Sequence, residues 1–130
     1  MLWDYHVILL ARFGEAWCVV DPDSRLPQPT RVIAYLDASF PRQQEIAPIH
    51  RPHFRLVAAA ELRRSLRTDR SHMRRGDGFA QPQPPWPCIG TGTNLMQFVD
   101  MQRAFLGEVV DLQGLRAWIA ARTPEPARER

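Results

Sequence analysis

Two largely apolar runs near the N-terminus, joined by a Gly-Glu pair, constrain the fold of this chain more than any other feature. Residues 3–13 and 16–21 are rich in the β-branched, aromatic and aliphatic side chains that favour strands. A two-residue connection that begins with glycine suits a type II′ turn. The sequence therefore predicts an antiparallel β-hairpin with Gly14 and Glu15 in the turn. Because both of its faces are apolar, we expect this hairpin to be central in the fold.

The hairpin turn determines which side chains share a face of the sheet. It places Asp21 opposite Ile8 and diagonally across from His6, with Cβ atoms roughly 7 Å apart or less. An imidazole–carboxylate hydrogen bond can form over that distance, and such a carboxylate orients the histidine of a hydrolytic triad. Two other interpretations stay open. The two side chains could satisfy each other in a core, or they could bind a metal ion together with Asp23.

The two cysteines fit this geometry differently. Cys18 lies an odd number of residues from Asp21, so its side chain projects from the opposite face of the hairpin, and we expect it in the core. Cys88 follows Pro87 in a proline-rich segment, away from any helix start that would stabilise a thiolate. Two such cysteines do not form a disulfide framework or a zinc motif, so we expect reduced thiols.

The rest of the chain predicts an α+β protein in which helices flank an antiparallel sheet. Its length suits one domain, assigned to residues 1–122, with a flexible tail at 123–130. The segment 68–93 is rich in glycine, proline and polar residues and predicts a long functional or irregular loop. Thr30, Asn94 and Asp111 are the predicted helix caps. Further predicted elements are helices at 30–40, 59–66 and 94–101, a last helix from 111, and strands at 54–58 and 108–110.

Charge and hydropathy restrict the location and the partners. The chain contains no apolar run of the roughly 20 residues that a membrane span requires, and Asp4 and His6 interrupt the only candidate signal sequence. We therefore expect a cytoplasmic protein without membrane association. All 17 basic residues are arginine, and the formal net charge is +3. A local arginine cluster favours a solvated helix face and loop over a nucleic-acid surface, since no aromatic residues are interleaved with it. Its members are Arg63, Arg64, Arg67, Arg70, Arg74 and Arg75.

Four sequence blocks occur in an order that resembles one enzyme family. They are Trp-Asp-Tyr-His-Val at 3–7, Asp-Pro-Asp-Ser at 21–24 followed by Leu-Pro, Asp-Arg-Ser-His-Met at 69–73, and Pro-Trp-Pro-Cys-Ile at 85–89. This series is similar to that of the protein N-terminal glutamine amidohydrolases, and the resemblance extends over nearly the whole chain apart from its tail. Such enzymes hydrolyse the side-chain amide of an N-terminal glutamine to give glutamate and ammonia, a reaction that in eukaryotes feeds an N-degron pathway.

The resemblance implies a papain-like or transglutaminase-like cysteine hydrolase with a Cys-His-Asp triad and neither cofactor nor metal. His6 falls on the family histidine and Asp21 on the family aspartate. The resemblance also implies a monomer whose substrates are proteins or peptides with N-terminal glutamine. We expect the blocks at 69–73 and 82–88 to form a pocket rim, with Trp3, Asp69 and Trp86 as candidate substrate contacts. Asp69 would either bind the substrate α-ammonium group or cap a turn.

The nucleophile is where this chain departs from the family pattern. The family cysteine lies in a Cys-Glu-Glu-Asn segment at the start of a helix well upstream of the histidine, whereas this chain begins two residues before Trp3. Neither Cys18 nor Cys88 matches that segment, so we expect the N-terminal helical part to be missing. Three hypotheses follow: an amidohydrolase whose true start lies upstream, an inactive reader of N-terminal glutamine peptides, or an arginine-rich interaction module. We also expect a partly uncovered apolar face on the first strand, and hence poor solubility.

Overall fold

A computed structural model describes residues 5–125 of the chain. The fold is mixed α and β, with small antiparallel sheets and, among the described residues, four α-helices. In chain order the elements are β1 (Leu9–Phe13), β2 (Ala16–Val20), β3 (Thr30–Arg31), α1 (Val32–Ser39), β4 (His53–Leu56), α2 (Ala59–Ser65), β5 (Arg74–Arg75), β6 (Gly78–Phe79), α3 (Leu95–Val99), β7 (Glu108–Asp111) and α4 (Leu112–Arg122). Single 3₁₀ turns lie at Gln43–Glu45, Pro48–His50 and Ser71–Met73.

The chain separates into two compact units. The first comprises the described residues up to Pro52 together with those from Val110 onward, and the second is His53–Val109. The assignment of residues 1–122 to one domain stays a prediction. The longest helix among residues 5–125 has 11 residues, and none of the described helices is long and apolar enough to cross a membrane.

The predicted hairpin forms the sheet of the first unit, with strand order β1-β2-β3. Leu9 pairs with Val20 and Phe13 with Ala16, which is the predicted register. Gly14 adopts a φ of 61°, a left-handed value that glycine tolerates without a Cβ clash, so the two-residue turn can close. Regular strand pairing starts at Leu9, and residues 5–8 form no ladder with the second strand. Trp3 and Asp4 lie outside the described residues.

Helices α1 and α4 contribute most of the buried side chains of the first unit. Val19 on β2 and Leu36 on α1 are fully buried, and Leu115 and Ile119 of α4 are also buried. The prediction that Asp111 caps α4 is confirmed, since its Oδ1 accepts a hydrogen bond of 2.7 Å from the Gly114 N–H. The other caps differ from prediction: α1 begins after Arg31 with no side-chain cap, and the Thr30 hydroxyl instead donates to the Pro27 carbonyl.

One face of β1 is open to solvent. Val7, Leu9 and Phe13 alternate along the chain and are 66%, 52% and 52% exposed. The expected central position of the whole hairpin is therefore wrong, because β2 occupies the centre of the sheet and β1 its edge. The expected apolar face is present.

In the second unit, one arginine organises the chain that precedes β7. From β4, the Arg55 guanidinium donates hydrogen bonds of 2.6–3.1 Å to four backbone carbonyls between residues 98 and 106. Gly107 follows with a φ of 73°, and a Cβ there would lie 2.1 Å from the Leu56 carbonyl oxygen. A loop without regular structure is thus held through its backbone oxygens and through a close approach that requires glycine.

The long segment 68–93 is partly ordered in the second unit by β5, β6 and isolated bridges. Thr68 bridges to Ile89 and to Thr93. Asn94 precedes α3 as predicted, but its side chain does not cap the helix. Its Nδ2 donates to the Ser65 carbonyl and its Oδ1 accepts from the Arg67 N–H, so this side chain links the end of α2 to the start of α3.

Candidate active site

His6 and Asp21 meet at one end of the hairpin. The His6 Nε2 atom lies 3.0 Å from the Asp21 Oδ2 atom, although the two residues are 15 positions apart in the sequence. The Asp21 side chain is 2% exposed and the His6 side chain is 17% exposed. The hairpin ladder ends at the Leu9–Val20 pair, and the segments just outside it, which hold His6 and Asp21, lie side by side and bring the two side chains together. The sequence had predicted this pair and this contact.

A complete set of hydrogen bonds fixes the buried Asp21 carboxylate. Its Oδ2 accepts from the Tyr35 hydroxyl at 2.7 Å as well as from His6, and its Oδ1 accepts from the Asp23 N–H at 3.1 Å. The Asp21 N–H donates to the Gln28 Oε1 at 2.7 Å, which anchors the main chain at the same point. A buried charge of this kind is stable only when hydrogen bonds replace the lost water.

The Asp21 carboxyl is held in its ionised form. Burial raises the pKa of Asp21, but the hydrogen bonds from Tyr35, from His6 and from the Asp23 backbone outweigh burial, and the pKa lies below its ordinary value. Burial, together with the hydrogen bond to Asp21, raises the pKa of Tyr35 to about 12. At neutral pH, therefore, the protonated tyrosine hydroxyl donates a hydrogen bond and the ionised aspartate accepts it.

This charge distribution determines which histidine nitrogen can act as a base. An ionised carboxylate is an acceptor only, so His6 must carry a proton on Nε2 to make the observed bond. In the neutral imidazole the lone pair is then on Nδ1. The pair can take up a proton at Nδ1 and stabilise the resulting imidazolium through Asp21, which is the chemistry of a general base in a hydrolytic site.

Asp23 adds a third potential metal ligand to the pair. One ligand atom each of His6, Asp21 and Asp23 lies within 4.8 Å of the others. The donor set fits a metal ion poorly, however, because both Asp21 oxygens already accept hydrogen bonds and Asp23 is exposed. Binding an ion would require Asp21 to give up a partner inside a buried site.

Both cysteines occur as free thiols. Cys18 pairs with Ala11 across the hairpin and is buried, in agreement with its predicted place in the core. The alternation of side chains along β2 points it away from the face that carries His6 and Asp21. Cys88 is exposed and belongs to the second unit.

Two of the three predicted substrate contacts, Asp69 and Trp86, belong to the second unit. Trp3 lies outside the described residues. Asp69 belongs to the second unit, where its Oδ1 accepts a 2.9 Å hydrogen bond from the Ser71 N–H, the turn-capping arrangement that was one of its two expected roles. Hydrogen bonds from Ser71 lower the pKa of Asp69, so this carboxyl is also ionised. Trp86, in the same unit, is 65% exposed, and its carbonyl accepts from the Arg70 guanidinium.

Sequence reasoning missed Tyr35 and Gln28. Tyr35 lies within the helix predicted at 30–40, and no polar contact was predicted for it. A buried tyrosine hydroxyl nearly always requires a partner, and the nearby Asp21 carboxylate was the available signal. Gln28 lies among prolines, where no periodic pattern indicates the direction of a side chain.

A buried carboxylate that orients a less buried histidine is the arrangement of the general-base pair in many hydrolases. Comparison with known proteins agrees with this interpretation and identifies a specific family. Residues 1–119 match the model of a family described as N-terminal glutamine amidase. The chain is 37% identical over 106 residues to human protein N-terminal glutamine amidohydrolase, a match that covers 78% of this chain and 52% of the human protein.

Other relatives of the same name give similar values. Identity to the protein from Bos taurus is 36% over 106 residues, covering 78% of this chain and 51% of that protein. Identity to the protein from Danio rerio is 33% over 119 residues, covering 86% and 58%. The chain thus spans about half the length of the curated relatives that it matches. It belongs to the N-terminal glutamine amidase family.

Proposed function

We propose that this chain carries the histidine and the aspartate of an enzyme that hydrolyses the side-chain amide of an N-terminal glutamine in proteins. The products are N-terminal glutamate and ammonia. One observation carries the proposal: His6 Nε2 is hydrogen-bonded to a buried, ionised Asp21 in a chain of the N-terminal glutamine amidase family. The names of the relatives supply the substrate, a glutamine at a protein N-terminus.

In the proposed reaction a cysteine thiolate is the nucleophile. His6 takes the thiol proton at Nδ1, and the thiolate attacks the Cδ carbonyl of the glutamine side chain. The tetrahedral intermediate collapses as His6 returns the proton to the nitrogen, so ammonia leaves and a thioester remains. Water, deprotonated by His6, then attacks the thioester and releases the glutamate side chain and the thiol. One water is consumed for each ammonia formed.

Asp21 supports each of these proton transfers without being protonated itself. Its negative charge stabilises the His6 imidazolium, and its hydrogen bond holds the ring in the tautomer that has its lone pair on Nδ1. Replacement of Asp21 by Asn would leave a donor or a weaker acceptor opposite Nε2. We expect a loss of about 10²–10⁴-fold in kcat from the misoriented or wrong tautomer.

Architecture and substrate contacts complete the proposal. We infer a papain-like or transglutaminase-like domain that acts without a cofactor, and substrates that are proteins or peptides with a free N-terminal glutamine. Trp3, Asp69 and Trp86 are the proposed substrate contacts. The ionised Asp69 carboxylate is supported as an α-ammonium partner by its negative charge, since a carboxylate can accept further hydrogen bonds beyond those from Ser71.

The buried Cys18 is not the nucleophilic cysteine of the proposed reaction. If the DNA upstream of the Met1 codon encodes an in-frame segment with a cysteine at a helix start, the extended product should release ammonia from a peptide that begins with glutamine. Peptides that begin with asparagine or with acetylated glutamine are the substrate controls. A stop codon immediately before Met1 would contradict an upstream start.

Two histidine variants test the assignment of the base. His6→Ala in the extended product should reduce ammonia release by at least about 10³-fold. The exposed His50 offers a matched control in the same unit, and His50→Ala should leave the rate unchanged. Comparable losses in both variants would show that His6 has no specific role.

The 130-residue chain alone separates the enzyme from the peptide reader. Isothermal titration with the glutamine peptide measures binding, and the ammonia assay measures turnover. If the upstream DNA encodes no cysteine segment, binding without release identifies a non-catalytic reader. Release that persists after both Cys18 and Cys88 are replaced by Ser would contradict a cysteine mechanism.

A further inference from the structure

We propose that Tyr35 is a positioning residue for the His6–Asp21 pair, acting through the aspartate oxygen that it shares with the histidine. This inference rests on the proposed function only where it predicts an effect of Tyr35 on catalysis. The geometry is independent of it: the Tyr35 hydroxyl and the His6 ring both donate to Asp21 Oδ2, at 2.7 and 3.0 Å.

Helix α1 brings the tyrosine to this oxygen from the interior. Tyr35 is 2% exposed and is packed with Val32 and Leu36 on the buried side of the helix, so its ring has little freedom. A side-chain hydrogen bond from Ser39, one turn further along the helix, reaches the same hydroxyl. The hydroxyl is fixed by the packing of the ring on one side and by Ser39 on the other.

The hydrogen bond from Tyr35 fixes the plane of the carboxylate. The Asp23 N–H holds Oδ1, and Tyr35 holds Oδ2, so the two oxygens are anchored from different directions. Rotation of the carboxylate about χ2 would break both bonds at once. Without Tyr35 the Asp23 N–H and His6 itself would be the remaining hydrogen-bond partners of the carboxylate among the described residues, and His6 would lose a firmly fixed acceptor. Hydrogen bonds to a charged group are short and directional, as this one is.

Few titratable groups interact directly with Asp21 in the described part of the chain. The titratable groups that interact with Asp21 in the described part of the chain are His6, before β1, and Tyr35, on α1. Asp23, in the loop after β2, contributes its N–H, and its carboxylate lies within 4.8 Å of the ligand atoms of His6 and Asp21. A variant that removes the tyrosine hydroxyl therefore alters a direct contact of Asp21, and its effect reaches His6 through the carboxylate oxygen that both side chains share.

Nuclear magnetic resonance of the 130-residue chain tests the inference without requiring turnover. The ring nitrogens of His6 report its tautomer, and the exchange rate of the Nε2 proton reports how firmly Asp21 holds it. In Tyr35→Phe we expect mixed tautomers and about tenfold faster exchange of that proton, corresponding to a coupling of about 1.4 kcal/mol between neighbouring groups in one network. The matched control is Tyr5→Phe, which removes an exposed hydroxyl one residue from His6 and should change neither quantity.

A merely structural tyrosine would give a different result. If Tyr35→Phe remains folded and the His6 tautomer and exchange rate equal those of the unmodified chain, the inference is wrong. If that variant does not fold, Ser39→Ala replaces it: faster exchange at His6 supports the inference, and an unchanged rate overturns it. In the extended product, Tyr35→Phe should lower kcat with KM unchanged and should add little to Asp21→Asn. If only the ammonia assay gives a negative result, the proposed function is wrong, whereas the nuclear magnetic resonance result still tests the role of Tyr35.

Discussion

The ionisation of Tyr35 should weaken the fold in alkaline solution by an amount that the structure defines. The pKa of Tyr35 is raised from 10.0 to about 12 by burial and by the hydrogen bond to the negative Asp21. Between pH 10 and 12 the unfolded chain loses this proton while the folded chain retains it, so rising pH favours unfolding. Two pKa units at 1.36 kcal/mol each correspond to about 3 kcal/mol of stability lost over that interval.

Tyr35→Phe isolates this effect. At pH 8 the variant leaves Asp21 with one donor fewer and should be less stable by roughly 1.5–3 kcal/mol, the range for hydrogen bonds to charged groups. The variant carries no Tyr35 proton to lose, so the difference from the unmodified chain should shrink as pH rises and largely vanish near pH 12. Other alkaline titrations affect both chains and cancel in the difference.

Urea unfolding at several pH values from 8 to 12 measures this difference. Absorbance at 295 nm provides a direct check, since the chain contains two tyrosines and Tyr5→Phe leaves Tyr35 as the only one. The tyrosinate of that variant should form with a midpoint near pH 12 in the folded protein. A midpoint near 10 in a folded sample, or a constant stability difference from pH 8 to 12, would refute the hydrogen-bonded burial of Tyr35.

Three further substitutions test the scaffold around the site. Gly107→Ala should destabilise the chain by about 2 kcal/mol or more, because its Cβ would contact the Leu56 carbonyl at a positive φ; Gly78→Ala, where nothing lies within 4 Å, is the control in chemical denaturation. Arg55→Lys should cost about 3 kcal/mol in the same measurement, since one ammonium cannot serve four separate carbonyls; an unchanged midpoint would contradict that role. Leu9→Thr should raise the soluble yield by reducing the exposed apolar face of an edge strand, with equal aggregation of both forms as the contrary outcome.

The sequence was most informative where the relevant geometry is local. The two-residue turn at Gly14 determined the register, and the register determined that His6 and Asp21 share a face while Cys18 does not. Side-chain alternation has a period of two, so such a prediction needs only a correct turn. The Asp111 cap was equally local, since a cap and the N–H that it binds lie three residues apart.

Contacts between distant segments were not predictable in the same way. Tyr35 reaches Asp21 only because α1 packs with its buried side toward β2, and a helical pattern does not specify the rotation of a helix against a sheet. Asn94 has the residue type of a cap, yet it forms its hydrogen bonds with the end of α2, because partners more than 25 residues away compete for the same amide. The four carbonyls bound by Arg55 belong to the backbone, so no residue type in the sequence indicates these contacts.

The length of the hairpin turn has a consequence for how this chain can vary. His6 and Asp21 lie on opposite arms of the hairpin, so a single residue inserted between 13 and 16 would advance the second arm by about 3.3 Å and turn its side chains over. Asp21 would then face away from His6, and the Cys18 side chain would take the side that His6 occupies. The contact between the two residues therefore requires their separation of 15 positions in the sequence. Substitution of Glu15 is tolerable, whereas the positive φ of Gly14 restricts that position to glycine and insertions or deletions of odd length would separate His6 from Asp21.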